Sequence, residues 1–216
     1  MPKIYLDQSL DPERKKTLKI LSPLKKEAVL GGGTALALQL GHRKSFDFDL
    51  FLDRPINNPF KNNVFNLFGN NIKRIINDSA DELTFFALNN IKITFLFFPF
   101  PPLFPLAPTP FLPLFHPRDL ASNKAYSLGR RAAYRDYVDL YFLLKNYSLE
   151  EIIKDSQKRF GGAFSAKLFL EQLVYFDDLD GFEVDFLGQE KPSFEEVRKF
   201  LEQKVEKYLS FINSNN

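Results

Sequence analysis

Residues 30–50 read Leu30-Gly-Gly-Gly-Thr-Ala-Leu-Ala-Leu-Gln-Leu-Gly-His-Arg-Lys-Ser-Phe-Asp-Phe-Asp-Leu50, and no other segment of the chain carries as much structural information. Three consecutive glycines follow a short apolar run. Thr34–Leu40 then has the composition of a short apolar helix, which Gly41 ends. Phe46–Leu52 alternates apolar and acidic residues, as a strand with one buried face does. The segment therefore predicts a glycine turn, a helix and a strand in succession.

The two aspartates of this strand, Asp47 and Asp49, are two residues apart. Residues i and i+2 of a strand project from the same face, so the two carboxylates are expected to lie side by side while Phe48 points into the core. Two carboxylates on one face form a binding site for a hard divalent cation such as Mg²⁺. An edge strand with two solvated acids has the same spacing and remains an alternative.

The glycine turn is the second part of the candidate site. Backbone N–H groups at the start of a helix bind phosphate oxygens, and a guanidinium just before the aspartate strand suits a triphosphate. A plain tight turn and a solvent-exposed arginine are the alternatives. The predicted nucleotide-binding residues of this segment are Gly32, Gly33, Thr34, Arg43 and Ser45. Together with the aspartates, they suggest metal-assisted chemistry on a nucleoside triphosphate.

The same residues resemble the first motif of the AbiEii-type nucleotidyltransferases, which are the toxins of bacterial abortive-infection and type IV toxin–antitoxin pairs. The resemblance lies in Gly-Gly followed by His-Arg-x-Ser-x-Asp-x-Asp, which ends here at Asp49. A second block, Arg118–Leu140, is similar to the later Asp-Leu-Ala-x-x-Lys and Arg-Asp-x-x-Asp-Leu motifs of that family. The two blocks occur in the family's order, and the resemblance spans roughly residues 26–144.

This resemblance implies an α/β fold: a nucleotidyltransferase-fold mixed sheet with flanking helices, followed by a C-terminal helical bundle. It implies Mg²⁺-dependent transfer of a nucleoside monophosphate from a nucleoside triphosphate to a hydroxyl acceptor, for which the 3′ end of tRNA is one candidate. It also implies a cognate antitoxin protein as partner. In the second block it favours Lys124 as a triphosphate contact, with Arg130 or Arg131 in support; on sequence, a solvated basic stripe along the helix is the alternative.

One acid of the expected set is absent from its usual place. Polymerase-type nucleotidyltransferases carry a third acid on the strand beside the aspartate strand, and the candidate here, Ile91–Phe98, has none. Asp136 is therefore predicted to act with Asp47 and Asp49 as the third catalytic carboxylate, although Asp136 or Asp139 is equally suited to cap a helix or to orient Lys124. The missing acid also leaves a second hypothesis, a catalytically weak nucleotide-binding or protein-interaction module with the same fold.

Composition excludes several classes of protein. The chain of 216 residues has no Cys and two His, which excludes disulfides, Cys-based zinc sites and a His-rich metal site. A formal charge of +2 excludes a polybasic nucleic-acid binder. The apolar segment Ile91–His116 is interrupted by many prolines, which a membrane-spanning helix does not tolerate. The N-terminus shows no secretory signal, so no membrane association and a cytoplasmic location are expected.

The proline-rich part of that segment is predicted to separate two domains, residues 1–112 and 113–216. Strands are predicted at Ile72–Ile76, Glu82–Leu88 and Ile91–Phe98 in the first domain. The pattern then becomes helical, and two capping boxes, each a Ser with a Glu three residues later, predict helix starts at Ser148 and Ser193.

Overall fold

The computed structural model describes residues 3–128, 133–179 and 183–214. The chain divides into two compact units, Met1–His116 and Pro117–Asn216. The division falls after His116 rather than after residue 112, because the end of the proline-rich segment pairs with the first unit. The backbone N–H of Leu30 donates to the carbonyl of Pro113 at 2.9 Å, and that of Phe115 donates to the carbonyl of Leu30 at 3.2 Å.

The first unit contains helices on a mixed sheet, as the sequence predicts. Its elements in chain order are α1 Leu6–Ser9, α2 Pro12–Leu21, β1 Val29–Leu30, α3 Gly32–Leu40, β2 Phe48–Leu52, α4 Asn58–Phe68, β3 Ile72–Asp78, β4 Glu82–Ala87 and β5 Lys92–Phe97. Helix α2 begins at Pro12 because the Asp11 side chain accepts a hydrogen bond from the Arg14 N–H and proline suits the first helical position.

Helix α3 begins two residues before its predicted start at Thr34. Gly31 is its N-cap, and Gly32 and Gly33 form the first helical turn instead of a separate loop. The first N–H groups of a helix have no partners within the helix, so the glycines supply unpaired donors together with the positive end of the helix dipole.

The five strands form one sheet in the order β1-β2-β5-β4-β3. Strands β2 and β5 are parallel, while the other neighbouring strands are antiparallel. Helix α4 covers one face of the sheet: the ring of Phe60 lies 5.3 Å from that of Phe95, and the ring of Phe68 lies 5.1 Å from that of Phe85. Phe48 and Leu50 of β2 are fully buried, and the residues between them alternate to the opposite face. The opposite face therefore carries Asp49.

The described part of the second unit is helical. Its helices are α5 Pro117–Ser127, α6 Tyr134–Leu143, α7 Leu149–Phe160, α8 Ala166–Leu173 and α9 Phe194–Ser214. Both capping boxes are confirmed: the N–H of Glu151 donates to Ser148 Oγ at 3.1 Å, and the N–H of Ser193 donates to Glu196 Oε2 at 2.7 Å. Of the helices in the described ranges, none is both long and apolar enough to cross a membrane.

Candidate active site

The glycine turn and the aspartate strand are joined by short hydrogen bonds. The N–H of Gly31 donates to the carbonyl of Asp49 at 2.9 Å. The Thr34 hydroxyl lies 2.7 Å from the Ser45 hydroxyl and donates to the carbonyl of Asp47. The start of α3 is thereby fixed against the start of β2, and residues that the sequence separates by up to 18 positions come together.

Only glycine fits at the two positions of this turn that lie against the Asp49 carboxylate and the Arg43 guanidinium. Gly32 has φ +60°, and a Cβ built on it would overlap Asp49 Oδ2. A Cβ on Gly33 would lie 2.5 Å from a terminal nitrogen of Arg43. The first turn of α3 thus lies directly against a carboxylate and a guanidinium, and the alternative of an ordinary tight turn leaves this arrangement unexplained.

Burial separates the residues that shape the site from those that are open to a ligand. Thr34, Arg43 and Ser45 are buried, with Arg43 only 3% exposed. The Arg43 Nη1 donates to the carbonyl of Lys44 at 2.9 Å. The alternative of a solvent-exposed Arg43 is therefore wrong. Asp47 and Asp49 are half-buried on either side of the fully buried Phe48, as expected for carboxylates that hold an ion at the surface of the sheet.

Gly32→Ala is expected to weaken nucleotide binding and to destabilise the fold. The left-handed conformation costs an alanine about 1–2 kcal/mol, and the new methyl group would displace the Asp49 carboxylate. Thermal unfolding and titration with ATP and Mg²⁺ measure the two effects. Gly69→Ala is the matched control, because Gly69 also has positive φ (+50°) but no atom within 4 Å of the Cβ position. Equal nucleotide affinity in the two variants would contradict the placement of the site.

Strand β5 lies beside β2, as the sequence predicts for the strand that would carry a third acid. The residue opposite Asp49 on β5 is Thr94. Thr94 is 7% exposed, and β5 contributes no carboxylate. Among the described residues, no group of three or more His, Cys, Asp or Glu side chains is arranged to hold a metal ion. The carboxylate of this face that lies against the glycine turn is that of Asp49, and its partnership with the Asp47 carboxylate stays a prediction.

These two carboxylates fit Mg²⁺ in its usual nucleotide-bound form. Mg²⁺ is commonly bound by one or two protein carboxylates together with substrate phosphates and water, and it does not need a complete protein cage. Asp49 lies against the helix start at which phosphate oxygens would be held, so one ion can contact both the protein and the nucleotide.

In the second unit, Lys124 lies between two aspartates of α6. Its Nζ is 2.5 Å from Asp136 Oδ1 and 2.6 Å from Asp139 Oδ2, and the side chains of all three residues are at most 6% exposed. The alternative of a solvated basic stripe is wrong for Lys124. The geometry favours the interpretation in which the aspartates orient Lys124. Participation of Lys124 and Asp136 in catalysis stays a prediction, and Arg130 and Arg131 lie outside the described residues.

Asp139 is as close to Lys124 as Asp136 is, although the sequence predicts a catalytic role for Asp136 only. It is fully buried, and its distance to Lys124 equals that of Asp136 within 0.1 Å. Its position one helical turn after Asp136 is the sequence feature that places both aspartates on the same side of α6. Two further motif residues are also ion-paired inside the unit: Arg118 Nε is 2.8 Å from Asp155 Oδ2, and Asp119 Oδ1 is 3.2 Å from Arg159 Nη1. The hydrogen bond that Arg118 donates to Asp155 raises the pKa of the Arg118 guanidinium.

Known structures share this fold. A candidate nucleotidyltransferase from Helicobacter pylori superposes with a TM-score of 0.58 at 20% identity, over 98% of this chain and 99% of that one. The nucleotidyltransferase toxin MenT4 of Mycobacterium tuberculosis gives a TM-score of 0.60 at 16% identity, over 88% of this chain and 80% of that one. Because the sequence identities are 20% or less, these similarities show that the fold is shared and nothing further.

The sequence comparisons concern the family. An uncharacterised protein of Aquifex aeolicus, aq_aa25, is 30% identical over 191 residues, which cover 83% of this chain and 87% of that protein. The family model described as nucleotidyl transferase AbiEii toxin of type IV toxin–antitoxin systems matches residues 17–95, which include the glycine turn, both aspartates and most of the sheet. The chain thus belongs to the AbiEii family of nucleotidyl transferase toxins.

Proposed function

We propose that this protein transfers a nucleoside monophosphate from a nucleoside triphosphate to a hydroxyl acceptor at the 3′ end of tRNA, that it requires Mg²⁺, and that it acts as the toxin of a pair with a cognate antitoxin. Family membership supports nucleotidyl transfer and a toxin role in general. The observation that supports the finer proposal is the close approach of the Asp49 carboxylate to the first turn of α3, where a phosphate group and a metal ion would be bound side by side.

The residues of the first unit divide the work of the reaction. Backbone N–H groups of Gly32 and Gly33 would hold the triphosphate, with the buried Arg43 guanidinium beside Gly33 adding positive charge behind them, and Asp47 and Asp49 would hold Mg²⁺. The bound ion supplies Lewis-acid stabilisation of charge on the phosphate oxygens. The acceptor oxygen forms a bond to the α-phosphorus while the bond to pyrophosphate breaks, and the hydroxyl proton passes to a carboxylate or to water.

The absence of an acid on β5 supports a second candidate function. A site with Thr94 beside Asp49 has one carboxylate fewer than the polymerase-type arrangement. Such a site is suited to bind a nucleotide with one Mg²⁺ ion and to react slowly or not at all. This candidate is the catalytically weak nucleotide-binding or interaction module.

Transfer of label to tRNA separates the two candidates, and removal of the metal tests the Mg²⁺ requirement. The purified chain is incubated with bacterial tRNA and each α-³²P-labelled nucleoside triphosphate in turn, with Mg²⁺ or with EDTA. We expect label in the tRNA band with Mg²⁺ and a loss of at least about a hundredfold with EDTA, because without the ion the anionic carboxylates repel the anionic triphosphate and nothing stabilises the charge of the transition state. Labelling that persists in EDTA would contradict the Mg²⁺ requirement. Nucleotide binding without labelling would favour the second candidate.

A further inference from the structure

Three residues on neighbouring strands form a row on the face of the sheet that carries Asp49. Strand pairing places Thr94 of β5 opposite Asp49. Two residues before Thr94, Lys92 lies opposite Phe86 of β4, and Phe86 lies opposite Arg74 of β3. Since paired residues of neighbouring strands project to the same face, Lys92, Phe86 and Arg74 form a row that starts beside the aspartate strand and leads away from it. We call these three residues the basic row.

The basic row alternates cations with an aromatic ring. The Arg74 guanidinium lies 5.6 Å from the centre of the Phe86 ring. Arg74 is exposed, while Lys92 and Phe86 are half-buried. Within the described residues, Lys92 has neither a hydrogen-bond partner nor an ion pair. A half-buried ammonium on the face of two carboxylates, with no partner of its own, is available for an anionic ligand.

The acidic residues of these strands lie at the far ends from the basic row: Asp78 ends β3, where it pairs with Lys61, and Glu82 begins β4, four residues before Phe86. The sequence has no Asp or Glu between Arg54 and Asn77, or between Leu83 and Arg118. Lys73 adds a further exposed cation beside the row, where its Nζ donates to Asn90 Oδ1 at 2.9 Å. In a chain with a formal charge of only +2, a local positive region of this kind is the feature that could attract a polyanion.

The geometry of the reaction indicates which of the two substrates, the nucleoside triphosphate or the acceptor, lies over the basic row. In phosphoryl transfer the attacking oxygen and the leaving oxygen lie roughly in line on opposite sides of the phosphorus. The glycine turn, where the leaving pyrophosphate would be held, follows β1 on one side of β2, whereas β5, β4 and β3 lie on the other side. The acceptor hydroxyl must therefore arrive from the side of the basic row.

We propose, resting on the proposed function, that the basic row of Lys92, Phe86 and Arg74 binds the single-stranded end of the nucleic-acid acceptor and guides its hydroxyl to Asp47 and Asp49. The two cations would contact consecutive phosphates, and the Phe86 ring would stack on a base. This alternation is how proteins bind single strands without reading their sequence.

The test is the binding of a fluorescein-labelled single-stranded RNA of about 12 nucleotides to the full chain, measured by anisotropy at several salt concentrations. Lys92→Met and Arg74→Met are each expected to weaken binding about three- to tenfold and to reduce the salt slope by about 0.7, the value for one lost phosphate contact on a single strand. Phe86→Leu is expected to weaken binding about fivefold with an unchanged slope, since stacking is lost without a change in charge.

Lys61→Met is the matched control, because Lys61 lies on α4 at the other face of the sheet and is paired with Asp78. Unchanged affinity and slope in all three row variants, stronger binding of duplex RNA than of single strands, or transfer of labelled nucleotide to protein would each overturn the assignment. Titration with ATP and Mg²⁺ keeps the two proposals apart. If the three variants bind RNA normally while nucleotide binding depends on Asp49, the RNA-binding role of the basic row is wrong and the proposed function stands. If RNA binding depends on the basic row but the protein binds no nucleotide, the proposed function is wrong and the RNA-binding role stands.

Discussion

Asp49→Asn is expected to lower the affinity for ATP with Mg²⁺ by about a hundredfold, or about 2.7 kcal/mol, and to abolish nucleotidyl transfer. The amide has the shape of the carboxylate but no charge, and it presents a single oxygen to the ion. Asp49 is half-buried and lies against the first turn of α3, so its charge acts where the triphosphate would be held. Asp47→Asn is expected to behave similarly.

Isothermal titration with ATP, in the presence of Mg²⁺ and then of EDTA, measures this prediction. Asp53→Asn is the matched control, because Asp53 is an exposed acid that follows the same strand and is not placed at the glycine turn. Thermal unfolding of each variant shows that the sheet is intact. If Asp47→Asn and Asp49→Asn both bound the nucleotide like the unaltered protein, the metal site would be wrongly placed.

The first unit could largely be predicted because its determinants are local. The order of glycine turn, helix and aspartate strand follows from residues 30–50 alone, since glycine, apolar runs and alternation each favour one backbone geometry. The start of α3 was placed too late for the same reason. Glycine has a low helix propensity, so two glycines do not predict the first positions of a helix, and the close approach of the Asp49 carboxylate to Gly32 is invisible in a single sequence.

The domain boundary and the environment of β5 depend on contacts between distant segments. The proline-rich segment looks like a linker, yet residues 113–115 hydrogen-bond to Leu30, a pairing that no local pattern encodes. The absence of an acid on β5 was predictable from sequence, but the register that places Thr94 opposite Asp49 was not. The basic row could not be predicted for the same reason, because its three residues belong to three strands.

The environment of Lys124 in the second unit shows that a residue's type does not by itself reveal its role. Lys124 was predicted to contact a triphosphate, and the structure gives its ammonium two buried carboxylate partners. An ion cluster of this kind orients the lysine and also holds α5 against α6. Mutation of Lys124 therefore affects stability whether or not the residue also meets a substrate, and the two contributions must be measured separately.

Lys124→Met is expected to lower the free energy of unfolding by about 3–5 kcal/mol, because it removes the ammonium that two buried carboxylates contact. The methionine chain fills nearly the same volume, so the loss is electrostatic rather than a packing defect. Urea unfolding followed by circular dichroism measures the change. Lys145→Met is the control, since the ion pair of Lys145 with Glu190 is partly exposed and is worth at most about 1 kcal/mol.

A triple variant, Lys124→Met with Asp136→Asn and Asp139→Asn, removes the uncompensated charges and is expected to recover most of the lost stability. It also decides between the two roles of the cluster. Recovery of both stability and nucleotide affinity would make Lys124, Asp136 and Asp139 structural residues. Recovery of stability with nucleotide affinity still lost would support a contact of Lys124 with the triphosphate, with Asp136 and Asp139 orienting the lysine. A Lys124→Met variant as stable as the unaltered protein would show instead that the cluster contributes little to the fold.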